Sequence, residues 1–299
     1  MSVSGASSMS PRVRPANERA TRALKALDEG RWSDARMNAD ALPEAPVVEL
    51  AWKTYLLGRV HLALHELKDA EVALERAAGL AWATECAPPG ESSDLKRDAM
   101  RLSAEALEHL GRVFRRGERG DRAIRAHAAA YELRREHGSA MEQWESAESL
   151  ALDHSLCGEL QQAKSWYDRA IGHARSAGVE CQAKSLSGLS AVQLALGDPA
   201  AATESARSAC EVWRTRAGGS LERFLAEKQL GYCILRQGEA LFERDPSRAG
   251  EHFVEAIAVL IRAHRELLAF DAPASDDARG CAELLDFARR LRGALSPLP

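Results

Sequence analysis

A repeated spacing between a small residue and an alanine limits the folds open to this chain more than any other feature. In four places a leucine and a small residue are followed, 12 positions after the small residue, by an alanine; the pairs are Gly58 and Ala70, Gly111 and Ala123, Ala151 and Ala163, and Ser190 and Ala202. Apolar-periodic stretches of about 15 to 25 residues alternate with short breaks that contain glycine, proline or aspartate. This pattern predicts helix pairs that repeat along the chain and pack through small residues.

The composition agrees with a helical chain. Hydrophobic residues make up 45% of the sequence but aromatic residues only 5%, so alanine and leucine must form the core. These residues favour helices, whereas a sheet would be richer in β-branched and aromatic residues. We therefore expect an almost entirely α-helical protein.

The charge balance argues against two classes of partner. The net charge is -4, from 40 basic and 44 acidic residues, so no overall attraction to nucleic acid or to an anionic membrane is expected. No apolar run approaches the roughly 18 residues of a membrane-spanning helix, and the first 16 residues lack the apolar stretch of a signal peptide. We expect a cytoplasmic location.

The histidines and cysteines do not have the spacing of a metal site. Six cysteines are scattered singly, without the paired spacing of zinc or redox sites, and we interpret them as thiols that mostly pack as small apolar residues. His61 and His65 share a helix face, but no acidic residue lies between them and no second pair completes a site. The sequence therefore predicts neither a metal nor a cofactor.

Breaks in the pattern divide the chain. Residues 1–16 are rich in serine and predict a disordered tail, and residues 17–270 predict one helical repeat domain. Within that domain, residues 84–94 predict a surface loop because they combine two prolines with glycine and serine. Residues 271–295 hold a last helix that we expect to cap the stack, and residues 296–299 form a short tail.

The repeated residues resemble the tetratricopeptide repeat (TPR), whose helix A carries W-x2-L-G-x2-Y and whose helix B carries A-x3-F. The best copy has Leu107, Leu110, Gly111 and Phe114 followed by Ala123. A later copy has Gly231 and Ala249 separated by 18 positions instead of 12. The alanines that open helix B lie farther apart than the roughly 34 residues of a standard repeat. The chain is therefore most similar to long-helix relatives such as the repeats of kinesin light chains, over residues 17–270.

The resemblance implies an all-α fold, namely an α-α superhelix (a right-handed solenoid) of about six antiparallel helix pairs plus a C-terminal capping helix. It also implies that helix A residues beyond the small packing position line a concave groove that binds peptides. The residues expected there are Trp52, Tyr55, Arg59, Arg112, Arg115, Arg116, Lys184, Lys228, Tyr232 and Arg236. Chaperone tails are disfavoured as ligands, because the carboxylate clamp of such repeats needs asparagine and this chain has none after Asn38.

Arg112, Arg115 and Arg116 form the most distinctive group, because arginines three and four apart share a helix face. Two interpretations remain open. In the first, the group is a solvated helix end whose positive charge suits the helix dipole. Alternatively, it is an anion-binding patch for acidic side chains or for the C-terminal carboxylate of a partner peptide.

These observations predict a protein-interaction adaptor or regulatory subunit, with a partner that carries acidic groups. No phosphate-binding loop, dinucleotide turn or G-x-S-x-G elbow occurs, so we expect no enzymatic activity. The main alternative is a ligand- or peptide-sensing regulator of an enzyme or transcription factor. An enzyme with an unrecognised pocket and a self-assembling homo-oligomer are further alternatives.

Overall fold

The structure, a computed structural model, describes residues 17–44, 47–85, 93–215, 221–270 and 276–295. These residues form thirteen α-helices and contain no β-strand. In chain order the helices are α1 (Glu18–Asp28), α2 (Trp32–Asp40), α3 (Val47–Ala63), α4 (Leu67–Glu85), α5 (Ser93–Arg116), α6 (Gly120–His137), α7 (Ala140–Leu156), α8 (Leu160–Ala177), α9 (Val179–Ala195), α10 (Pro199–Arg214), α11 (Leu221–Leu241), α12 (Pro246–Phe270) and α13 (Asp276–Ala294). The predicted all-α class, with six helix pairs and one further helix, is confirmed.

The chain divides into two compact units, the first ending at Gly158 and the second beginning at Glu159. The first unit contains α1 to α7 and the second contains α8 to α13. In both units each helix packs on its neighbours in sequence, as α3 does on α4 and α11 on α12. The boundary falls inside the range 17–270 that the sequence suggested as one domain.

Close glycine contacts show that the helix pairs are antiparallel. A methyl group at Gly231 on α11 would lie 2.6 Å from Leu260 on α12, and one at Gly238 would lie 2.6 Å from Phe253. The glycine nearer the end of α11 thus faces the residue nearer the start of α12, so the two helices run in opposite directions. The 18-residue spacing in this pair reflects long helices, since α11 has 21 residues and α12 has 25.

The glycines predicted to pack between paired helices do so, but not against the alanines that define the repeat. A methyl group at Gly58 would lie 2.6 Å from Leu74, and one at Gly111 would lie 2.4 Å from His127. Both partners are one turn beyond the repeat alanines, Ala70 and Ala123, which are fully buried. The reason is that each alanine lies in the first turn of its helix, whereas each glycine lies more than a turn before the end of the preceding one.

Local sequence signals set several helix ends. Ser139 and Glu142 form a reciprocal capping box at α7, with the Ser139 N–H donating to the Glu142 carboxylate at 2.7 Å. Asp198 caps α10 by accepting from the Ala201 N–H at 3.0 Å, directly before Pro199. Gly197 precedes this cap with a φ of 81°, a conformation that glycine adopts without strain.

The other segments predicted from the sequence lie only partly within the described residues. Residues 1–16, 271–275 and 296–299 lie outside the described residues, as do 86–92 of the predicted loop, whereas its two ends continue α4 and α5. The last predicted helix is α13, which packs on α12 through a cluster that includes Cys281 and Leu285.

Four of the cysteines are buried: Cys181, Cys210, Cys233 and Cys281. Burial raises the pKa of the Cys210 thiol to about 12, with the Glu227 carboxylate acting in the same direction, in agreement with the predicted packing role. Cys157 is exposed, and Cys86 lies outside the described residues. None of the helices in the described ranges combines the length and the hydropathy that a membrane span requires.

Candidate functional site

The predicted arginine group lies at the end of a charged stripe on α5. The stripe consists of Arg101, Glu105, Glu108, Arg112 and Arg115, spaced alternately four and three residues apart so that all five share one helix face. Glu105 and Glu108 are only 6% and 1% exposed. Buried carboxylates require partners, because an unpaired charge away from water is costly.

Helix α7 supplies a matching stripe. Its members, Glu142, Glu145, Ser146, Ser149 and Asp153, also follow helical spacing. Three sets of contacts join the two helices: Arg101 donates to Glu142 at 3.1 Å, Ser149 donates to Glu108 at 2.7 Å, and Arg115 pairs with Asp153. Glu142 and Asp153 are only 3% and 1% exposed. The contact between α5 and α7 is therefore a series of ion pairs and hydrogen bonds that is largely shielded from solvent.

Arg134 of α6 contacts residues of both stripes. The side chain is 2% exposed, and it donates to Glu105 at 2.8 Å, to Glu108 at 3.1 Å and to Ser146 at 2.9 Å. Burial by itself would lower the pKa of the guanidinium, but the carboxylates of Glu105, Glu108 and Glu145 outweigh it and raise that pKa. Arg134 is therefore a permanent positive charge at the centre of the first unit.

His127 completes the network. Its ring is fully buried on α6, with Nδ1 facing the Asp153 carboxylate and Nε2 facing the backbone oxygen of Glu108 at 3.1 Å. Both neighbours are acceptors, and only the imidazolium offers a donor at both nitrogens. In that form the network is electrically balanced, because five carboxylates are matched by four guanidinium groups and one imidazolium.

The positive charges of the network lower the pKa of the Glu108 carboxylate. Burial raises the pKa of this group, but the charges of His127, Arg134 and Arg112 and the hydrogen bond from Ser149 together hold it well below its ordinary value. Glu145, at the edge of the network, behaves oppositely, because burial and the neighbouring carboxylates raise its pKa more than Arg134 lowers it. The pKa of Glu108 is thus lowered, which favours its ionised form, whereas the raised pKa of Glu145 makes that carboxylate easier to protonate than an ordinary one.

The three arginines of the predicted cluster have different environments. Arg115 pairs with buried Asp153 and donates to the Ser149 carbonyl at 3.0 Å. Arg116 is exposed but donates to the Leu62 carbonyl at 2.9 Å, at the end of α3. Arg112 is 40% exposed and lies 3.4 Å from Glu108. The cluster is therefore not a uniform surface patch, since part of it stabilises the fold.

The aromatic residues predicted for the groove lie in the core. Trp52 and Tyr55 are 5% and 3% exposed, and their rings meet edge to face at 5.7 Å. His109 of α5 covers the Tyr55 ring at 5.7 Å, and Arg59 lies 3.5 Å from Asp28. A role of these residues in partner binding stays a prediction. Their burial shows that they pack within the first unit.

In the second unit the predicted residues are spread over two helices. Lys184 is exposed on α9, and Tyr232 is half-buried on α11. Lys228 donates to Asp277 at 2.6 Å and so links α11 to α13, while Arg236 pairs with Glu239 one turn away at 3.1 Å. Their predicted role in partner binding is likewise a hypothesis.

Sequence reasoning missed most of the ionic network. Arg134, His127 and Asp153 come from two helices, and no local spacing relates them to α5. The only available signal was within single helices, where Glu105 and Glu108 on α5 and Glu142 and Asp153 on α7 recur at helical intervals. Such spacing is equally typical of a solvated helix face, and burial distinguishes the two cases.

Comparisons with known proteins bear on the fold. No protein-family model matches the sequence, and no curated protein matches it either. Among solved structures, TPR-like repeats of a kinesin light chain from Podosopora anserina superpose with a TM-score of 0.54 at 14% identity, over 74% of this chain and 99% of that one. PilF of Pseudomonas aeruginosa gives a TM-score of 0.56 at 14% identity, over 89% and 95% of the two chains.

A signal-transduction ATPase of Pyrococcus horikoshii with a tetratricopeptide repeat sensor gives a TM-score of 0.68 at 14% identity. The match covers 92% of this chain but only 38% of the ATPase. Identities this low establish the fold and leave function open. The sequence resemblance is confirmed at that level: this chain has the TPR-like helical repeat fold, and kinesin light chain repeats are among the structures similar to it.

Proposed function

We propose that this chain is a protein-interaction module, an adaptor or regulatory subunit, that binds a peptide segment or domain of a partner protein. We place the contact on the α5–α7 face, defined here as Arg112, Arg115, Ser149, Leu152 and Leu156. The TPR-like fold supports the general class, since stacked helix pairs offer extended binding surfaces. The proposal assigns no catalytic residue and no cofactor.

The observation that carries the proposal is the state of Arg112. Its side chain is 40% exposed, and its guanidinium reaches Glu108 only at 3.4 Å. Glu108 is already satisfied by Ser149 at 2.7 Å, Ser146 at 2.9 Å and Arg134 at 3.1 Å. Arg112 can therefore turn toward a partner carboxylate without leaving a buried charge unpaired, and a guanidinium can hold a carboxylate through two parallel hydrogen bonds.

Two leucines give the same face an apolar component. Leu152 and Leu156 lie one turn apart on α7 and are 38% and 66% exposed. Leu152 sits between Ser149 and Asp153, the two residues that Arg115 contacts. The face thus combines a cation with neighbouring apolar surface, which suits a partner segment that presents an acidic side chain beside an apolar one.

The remaining predicted residues divide by accessibility. Arg116, Lys184, Tyr232 and Arg236 are exposed or half-buried and extend the hypothesis to further contacts. Trp52 and Tyr55 are left out of the proposed face because their rings are already covered. We expect the partner to be a protein with acidic groups, and we propose neither nucleic acid nor membrane as a ligand.

The test is affinity purification of the tagged full chain, followed by titration calorimetry with the partner that co-elutes. Arg112→Glu should weaken binding by about 10- to 100-fold, because a charge-assisted hydrogen bond contributes about 1.5–3 kcal/mol. Leu156→Ser should weaken it through lost apolar contact. Arg135→Glu is the matched control, because Arg135 is 59% exposed on α6 and lies outside the face.

Circular dichroism should show that all three variants keep the helical content of the parent chain. If the folded Arg112→Glu and Leu156→Ser variants bind the partner as tightly as the parent chain, the α5–α7 face is not the binding surface. If Arg135→Glu weakens binding as much as Arg112→Glu does, the interaction is a general charge effect and the proposal also fails.

A further inference from the structure

The turn between α3 and α4 gathers three metal-ligating side chains that the sequence separates. His61 lies in the last turn of α3, and Glu66 and Asp69 flank the start of α4. One ligand atom from each of the three lies within 4.8 Å of the others. His61 is half-buried, while both carboxylates are exposed, so the group is open to solvent on one side.

The backbone of the turn explains this convergence. His65 adopts a left-handed conformation with a φ of 62°. The Glu66 N–H donates to the His61 carbonyl at 2.9 Å and the His65 N–H donates to the Leu62 carbonyl at 3.3 Å. This is the Schellman arrangement that ends a helix and reverses the chain at once. It carries Glu66 back over the last turn of α3 and places it beside His61.

The group contains one more carboxylate than its internal contact uses. His61 Nδ1 and the Glu66 carboxylate are 2.5 Å apart, and this ion pair needs no second acid. Asp69 nevertheless faces the same point, and within the ranges that the structure describes its carboxylate has no hydrogen bond or ion pair of its own. The α4 N-terminus favours each carboxylate singly, but two carboxylates close together repel each other.

We propose that His61, Glu66 and Asp69 bind a divalent transition metal ion of the zinc type, with water in the remaining position. One imidazole and two carboxylates are ligands that zinc accepts at about 2.0–2.2 Å. A tetrahedral ion would place the ligand atoms about 3.3 Å from one another. The Glu66 carboxylate would then move slightly away from His61 Nδ1, a small movement for an exposed side chain.

This site differs from the one that the sequence excluded. The spacing of His61 and His65 suggested a histidine pair without an acid between them, and His65 is not part of the group. The acids come instead from the next helix, through the reversal at the turn. A bound ion would link the end of α3 to the start of α4, and the inference does not depend on the proposed partner-binding function.

The experiment is calorimetric titration of the metal-stripped full chain with zinc chloride, with cobalt absorption as a second measurement of coordination. We expect one ion per chain and a thermal midpoint raised by zinc. His61→Ala and Asp69→Asn should weaken binding by about 10-fold or more.

His65→Asn is the matched control, because asparagine tolerates the left-handed conformation and removes the neighbouring imidazole. It should leave zinc affinity unchanged. Absence of saturable binding would overturn the proposal, as would binding that His61→Ala does not weaken. Equal loss in His65→Asn and His61→Ala would assign the metal to a different ligand set and would also overturn it.

Discussion

Replacing Gly111 by alanine tests the link between helix packing and the ionic network. The added methyl group would lie 2.4 Å, 2.5 Å and 2.6 Å from three atoms of the His127 ring. Ordinary contacts between such atoms are about 3.5–4.0 Å, so the ring or the helix must move by about 1 Å. The ring is fully buried and held at both nitrogens, so it has no open space to move into.

The change in the free energy of unfolding of Gly111→Ala follows from two opposed effects. Alanine in place of glycine within a helix stabilises by about 0.5–1 kcal/mol, whereas overpacking costs about 1–3 kcal/mol. Displacement of His127 would also strain its hydrogen bonds to Asp153 and Glu108, and a buried group left unsatisfied costs about 1–3 kcal/mol. We expect the free energy of unfolding to fall by about 1–3 kcal/mol.

Gly79→Ala is the matched control for this prediction. Gly79 also lies inside a helix, α4, but no atom comes within 4 Å of the position that its methyl group would take. Only the propensity effect remains, so this variant should be stabilised by about 0.5–1 kcal/mol. Urea unfolding followed by circular dichroism measures both variants. Equal changes of the same sign would mean that Gly111 does not pack on His127 as described.

Two further predictions concern the network itself. Arg115→Glu should unfold or strongly destabilise the chain, by about 3–5 kcal/mol, because it leaves the buried Asp153 carboxylate facing a like charge. Arg112→Glu should cost less, because the Arg112 side chain is 40% exposed and buried Glu108 keeps Ser149, Ser146 and Arg134 as partners. Thermal melting distinguishes the two variants, and similar midpoints would contradict the different roles given to Arg112 and Arg115. Stability should also fall in acid: Glu108 and Glu142 have folded-state pKa values below their ordinary ones, so their stabilisation is complete above the ordinary carboxyl pKa of about 4.3 and is lost as the pH falls through the lower folded values. Glu145, with its raised pKa, acts in the opposite sense. Urea unfolding at a series of pH values should show the decline, with a shallower dependence in Glu108→Gln; an unchanged slope in that variant would argue against ionised Glu108.

Much of the fold could be predicted because its signals are local. Gly138 followed by Ser139, and Gly197 followed by Asp198 and Pro199, mark helix ends through the conformations and hydrogen bonds of single residues. Small residues such as Gly58 and Gly111 recur at a fixed phase, so they indicated where paired helices approach each other. Both signals act over one or two helical turns, and the amino-acid order contains them directly.

The candidate site depended on relations that the order of residues does not contain. Arg112 and Arg115 look equivalent on α5, yet the Arg112 side chain is 40% exposed and Arg115 pairs with Asp153, 38 residues away. His127 and Asp153 meet from different helices, 26 residues apart. Helical spacing assigns a side chain to a face, but whether that face meets water or another charged helix is decided by packing between helices. Since burial determines how strongly a charge needs a partner, only the tertiary structure could separate Arg115, which pairs with a buried carboxylate, from Arg112, whose side chain is more exposed.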